Sequence, residues 1–201
     1  MRIDILKEHS FSRMNASEAI RETFELAAMP AIFCFFISLS MLYTENFADK
    51  ILANSVTEFL QLTGIKITLY SSLITTGLSL IIIKITSIRK FLNWVTASIC
   101  KCGFSFTGII VGVFIGLAIP AGINSQSLKV VLGFILIAIW FAALQALYYW
   151  IAQIGNNGIN DPDRKVFGFT VMNLAPWFGA ILITLSLIGV LTDTWPEVFG
   201  A

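Results

Sequence analysis

Four groups of side chains in this chain have types and spacings that could do chemistry. Cys100 and Cys102 make a Cys-x-Cys pair, which could hold a soft metal or exchange thiols. Asn156, Asn160, Asp161 and Asp163 bring amide and carboxylate oxygens into one short stretch, loosely as a calcium loop does. Thr68, Ser72, Thr75, Thr76 and Ser79 fall at i, i+4, i+7, i+8 and i+11, a hydroxyl stripe along one helix face that could line a narrow polar pore. Gln145, Tyr149 and Gln153 form a second polar face at helical spacing.

Each group also has a plainer reading. The cysteine pair has no further Cys or His beside it, since His9 and Cys34 are far off in sequence, so it reads as packing, with no metal site or cofactor expected. The oxygen-rich stretch lacks a Glu at the closing position and carries Gly155, Gly158 and Asn160-Asp161-Pro162, which is turn chemistry. Hydroxyl and amide groups inside apolar helices usually bond across helix contacts, so Ser72, Thr76, Ser79, Gln145 and Tyr149 are either glue between helices or the lining of a pore. The fifth apolar run adds Thr170, Asn173, Trp177 and Thr184, with Pro176 as a candidate kink.

Two classes of function lose support at once. There is no Ser-His-Asp, Cys-His, HExxH or phosphate-cradling glycine loop, so no catalytic residue is assigned and an enzyme is not expected. No Asp, Glu, Lys, Arg or His lies well inside an apolar run, whereas ion-coupled carriers need such groups at depth.

The elements that must position these groups are membrane helices. Of the 201 residues, 57% are hydrophobic and 12% charged, far from the balance of a soluble domain. Uncharged runs predict five spans, at about 27–44, 67–83, 103–124, 130–154 and 167–192, against a requirement of roughly 17–25 residues per crossing. The expected fold is all-α, a polytopic helical membrane bundle in one domain, with four spans as the alternative because the first two runs are short. Ten Lys and Arg fall on one set of alternating segments and three on the other, which places the amino terminus in the cytoplasm and the carboxyl terminus outside a bacterial inner membrane. Mixed charges before the first run argue against a cleaved signal, and no lipidation pattern is present. A net charge of +1 gives no reason to expect nucleic acid.

Between the spans the pattern is also helical. In the cytoplasmic segment 1–26, Asn15 and Glu18 have the spacing of a capping box, and Ala16, Ala19, Ile20, Thr23 and Phe24 share an apolar face. Residues 45–65 read as an external amphipathic helix on the membrane surface. Residues 84–101 form a cytoplasmic basic loop in which Lys84, Arg89, Lys90 and Trp94 suit lipid headgroups or a protein partner. The third connection, "INSQSLK", is so short that spans three and four must be antiparallel neighbours, and 193–201 is a short external tail.

Gly108, Gly112 and Gly116 recur every four residues, with Pro120 continuing the spacing. Small residues at that interval let helix backbones touch, and the stretch resembles glycine-zipper assemblies in this spacing. It predicts either contact with a helix of the same chain or a homo-oligomer around a shared axis.

Together these features predict a non-enzymatic integral membrane protein that self-associates and serves as a membrane sensor or anchor for a cytoplasmic protein partner. The alternative is a small oligomeric channel; immunity to a pore-forming toxin would use the same architecture. In size and span layout over the whole chain the sequence resembles membrane subunits of accessory defence systems, for instance that of the Kiwa anti-phage system. The resemblance implies a four-span layout and a sensor of envelope events that recruits a cytoplasmic effector; no motif carries it and it assigns no site residue.

Overall fold

The computed structural model describes residues 10–41, 63–157, 165–166 and 169–199. The chain is built from helices α1 (Ser10–Arg13), α2 (Ala16–Met41), α3 (Thr63–Ile81), α4 (Thr86–Ser125), α5 (Leu128–Asn157) and α6 (Val171–Phe199). Two short strands, β1 (Lys165–Val166) and β2 (Phe169–Thr170), pair antiparallel between α5 and α6. Among the described residues five helices are long and apolar enough to cross a membrane, so the fold is the expected all-α helical bundle.

Helix boundaries differ from the sequence reading in instructive ways. The segment 84–101 is not a loop: only residues 82–85 are non-helical, and α4 then runs unbroken for 40 residues. No Gly or Pro occurs between Thr86 and Cys102, and a helix once nucleated propagates until something stops it. At about 1.5 Å per residue α4 is roughly 60 Å long, twice the hydrocarbon thickness of about 30 Å. Residues 63–65, expected in the external helix, open α3 instead, and 45–62 of that segment lie outside the described residues. So do 158–164, including Asn160, Asp161 and Asp163.

The amino-terminal helix and the first span are one element. Asn15 caps it as the spacing required: its Oδ1 accepts the Glu18 amide at 2.9 Å, and Glu18 Oε2 accepts the Asn15 amide at 3.0 Å. The helix continues through Pro30, whose nitrogen has no hydrogen to offer the Leu26 carbonyl.

The chain divides into two compact units, to both of which α4 and α5 contribute. One comprises Met1–Met14, Lys66–Gly103 and Leu147–Ala201; the other comprises Asn15–Ile65 and Phe104–Ala146. The second unit has an aromatic centre in which Phe114 stacks on Phe141 at 5.8 Å and meets Phe134 at 5.9 Å, ringed by Ala27, Ala118, Ala121 and Ala138. The first unit has a smaller apolar centre of Leu80, Ile83 and Ala175. In both, the large apolar side chains that point outward, such as Ile115, Ile119, Leu185 and Ile188, are surface that lipid would cover.

The turn between α4 and α5 makes these helices adjacent and antiparallel, as its brevity demanded: in the second unit a β-carbon on Gly122 would strike Val131. The α4 end is closed by bonds from the Ser127 amide to the Gly122 carbonyl and from the Gln126 amide to the Ile123 carbonyl. That is a Schellman cap, and it puts Gln126 at a φ of 49° where glycine is the usual occupant.

Candidate functional site

The groups singled out by sequence fall at helix contacts, and glycines decide which contacts are possible. In the second unit the glycine face of α4 is covered by α2 of the same chain. A β-carbon on Gly112 would enter the Ala27 carbonyl, and one on Gly116 the Ala31 carbonyl, so the backbones touch and Cα–H groups face carbonyl oxygens. Gly108 has a different duty. A β-carbon there would lie 2.7 Å from Gln145 Nε2, which donates to the Phe104 carbonyl at 3.1 Å. Glycine at 108 therefore makes room for a buried amide.

This arrangement turns α2 partly away from the expected apolar face, so that its Ala19 edge faces the chain and its Ile20 and Phe24 edge does not. Ala19, Ala27 and Ser38 are buried, whereas Ile20 and Phe24 are 59% and 71% exposed. Small residues face the chain because only they allow α2 to reach Gly112 and Gly116; the bulky ones are left for lipid.

In the first unit the hydroxyl stripe of α3 is an internal seam. Ser72, Thr76 and Ser79 are buried, and each donates to a carbonyl of its own helix, Leu69, Ser72 and Thr76 respectively, at 2.7–2.8 Å. Two side chains of the stripe bond to other helices. Thr68 and Tyr148 share a hydrogen bond at 2.7 Å. Thr96 donates to Thr75 at 2.9 Å, and the buried Cys100 lies beside Ser72. Cys102 points elsewhere and is exposed, as the angle of about 200° between positions i and i+2 requires, so the two thiols have separate surroundings.

Glycine again admits the larger groups. A β-carbon on Gly103 would lie 2.5 Å from the Tyr148 ring, and one on Gly189 would lie 2.6 Å from the Tyr70 ring. Gly77 and Gly179 meet backbone to backbone, a β-carbon on either falling 2.5–2.7 Å from the other's carbonyl oxygen. Ser186 ties the same pair of helices by donating to the Tyr70 carbonyl at 3.1 Å. This α3–α6 crossing was not anticipated. Ala175, Gly179 and Ser186, spaced at i, i+4 and i+11, are the signal that could have revealed it.

The remaining polar face of α5 holds the amino-terminal segment. Tyr149 Oη and Gln153 Nε2 both donate to the Met14 carbonyl, at 3.1 and 2.9 Å, and the Phe11 ring, fully buried, meets Tyr149 edge-on at 6.5 Å. Gln145 on the same helix serves the other unit, so the three polar residues do not act as one lining. In α6, Asn173 and Trp177 are exposed, and Thr184 bonds back to the Ala180 carbonyl at 2.9 Å.

Of the basic and aromatic group, Lys84, Lys90 and Trp94 are exposed, while Arg89 is half-buried with Nη1 donating to the Ile83 carbonyl at 3.3 Å. Arg89 thus brings a cation to the carboxyl end of α3, where unpaired carbonyls favour one.

These contacts define a polytopic α-helical membrane protein whose spans are held together by glycine seats and short polar bonds. Comparison with protein-family models, with curated proteins and with solved structures returned no match.

Proposed function

We propose that this chain is a non-enzymatic, multi-pass protein of the bacterial inner membrane that anchors a cytoplasmic partner and reports the state of the envelope to it, in the phage-defence or immunity setting that the size and layout suggest. The observation that carries the reading is the seat of Phe11 and Met14 on α5. Residues 10–14 precede the first span yet are fastened to Tyr149 and Gln153 of a later one, so a partner bound to this segment and a strain on α5 act on the same bonds. The intramembrane hydroxyls support a fixed frame rather than a conduit, because Ser72, Thr76 and Ser79 are buried and already bonded within the chain. Self-association through Gly108, Gly112 and Gly116 would have to displace α2, so any homo-oligomer would form through other surfaces.

The test is to purify the full chain in nanodiscs, alone and after co-expression with the product of its neighbouring gene, as wild type and as Phe11→Ala. A soluble partner retained by the wild type and lost from an otherwise intact Phe11→Ala protein supports the reading. A protein that retains no partner and conducts ions in liposomes replaces it with the channel reading, in which Ser72→Val and Thr76→Val alter conductance.

A further inference from the structure

The turn between α3 and α4 joins two helices that can each cross a membrane, so residues 82–85 belong at a membrane surface. From position 59 to position 160 the sequence contains no Asp or Glu, although Lys66, Lys84, Arg89, Lys90, Lys101 and Lys129 all lie there. Lys84, Lys90 and Lys101 are exposed, and among the described residues the ion pair is Arg21 with Glu25, elsewhere in the chain. Arg89 is committed to the Ile83 carbonyl, which leaves Lys84 and Lys90 as the cations presented at the turn.

Their neighbours are apolar and equally exposed. Ile85, Ile88 and Phe91 are each about half exposed, and Trp94 is 39% exposed one helical turn beyond Lys90 on the same face. A pair of lysines ahead of phenylalanine and tryptophan matches an amphiphile with an anionic head and acyl chains. An acidic protein surface would match the lysines but would leave the apolar side chains in water.

We infer that the α3–α4 turn is a binding site for anionic phospholipid, with Lys84 and Lys90 on the headgroup phosphate and Phe91 and Trp94 along the upper acyl chains. The inference is independent of the anchoring role proposed above. Each lysine near an anionic lipid surface strengthens binding about fivefold, so removing two weakens it by roughly 25-fold.

The experiment titrates the full-length protein in neutral detergent with phosphatidylglycerol and, separately, with phosphatidylcholine, counting retained lipids by native mass spectrometry. The variants are Lys84→Gln/Lys90→Gln and, as a single-charge control on the α5 amino-terminal turn, Lys129→Gln; all three side chains are exposed, so folding is not at stake. The expected result is preference for phosphatidylglycerol in the wild type and in Lys129→Gln, and a loss of about 25-fold in the double variant. Equal binding of the two lipids by the wild type, a preference that survives the double substitution, or a loss of about fivefold, the share of one lysine, in Lys129→Gln overturns the inference.

Discussion

Gly112 of α4 and Ala27 of α2 stand so close that a single added methyl group on the glycine would occupy the alanine's carbonyl. Because the obstacle is backbone, no rotamer change relieves it, and the two helices must separate. Gly112→Ala is expected to lower stability by about 1–3 kcal/mol. Gly133→Ala, where a β-carbon meets nothing within 4 Å, should instead raise it by up to about 1 kcal/mol through helix propensity. Unfolding in mixed detergent–SDS micelles measures both, and equal effects at the two positions would contradict the assigned α2–α4 contact.

Tyr148 does two things that substitution can separate. Tyr148→Phe removes the bond to Thr68 and keeps the ring, at a cost of about 0.6 kcal/mol, the average for a side-chain bond between membrane helices. Gly103→Ala keeps the bond donors but intrudes on the ring, and overpacking there should cost about 1–3 kcal/mol. The same micelle assay should rank Gly103→Ala as the more damaging change.

The reciprocal bonds of Asn15 and Glu18 hold the first turn of α2. Asn15→Ala should destabilise that turn by about 1 kcal/mol, whereas Asn15→Ser, which still offers an oxygen to the Glu18 amide, should cost only tenths. Hydrogen exchange at residues 16–19 reads the difference: about fivefold faster in Asn15→Ala, and near wild type in Asn15→Ser.

Gln126 occupies a left-handed backbone position at the α4–α5 turn. Glycine adopts that conformation without the side-chain penalty, so Gln126→Gly should stabilise the protein by about 0.5–1 kcal/mol. Gln126→Val, β-branched and worse suited to positive φ, should destabilise it. Thermal unfolding of the two variants side by side checks the sign.

Much of the fold was legible in advance because it depends on local physics. Long apolar runs specify helices in a bilayer, since every backbone group must be bonded within its own segment. The Asn15–Glu18 cap followed from spacing alone, and the two residues left between α4 and α5 required antiparallel neighbours. The extent of α4 was harder to read, because basic residues beside apolar ones look like a surface loop when only charge is considered.

What the sequence by itself determined is therefore which residues form helices and which faces are small, polar or bulky. Tertiary structure decided what covers each face. Gly108, Gly112 and Gly116 announce a surface where something can come close, yet the same spacing would suit a second copy, a neighbouring span or a polar side chain. Only the folded chain assigns Gly112 and Gly116 to Ala27 and Ala31, and Gly108 to Gln145. The hydroxyl stripe was equally open, and the seam of Thr68, Ser72 and Thr75 against Tyr148, Cys100 and Thr96 closed it. Periodicity is a property of one helix, whereas a contact belongs to two, and the second helix is chosen by which surfaces fit with least empty space and no unpaired polar group.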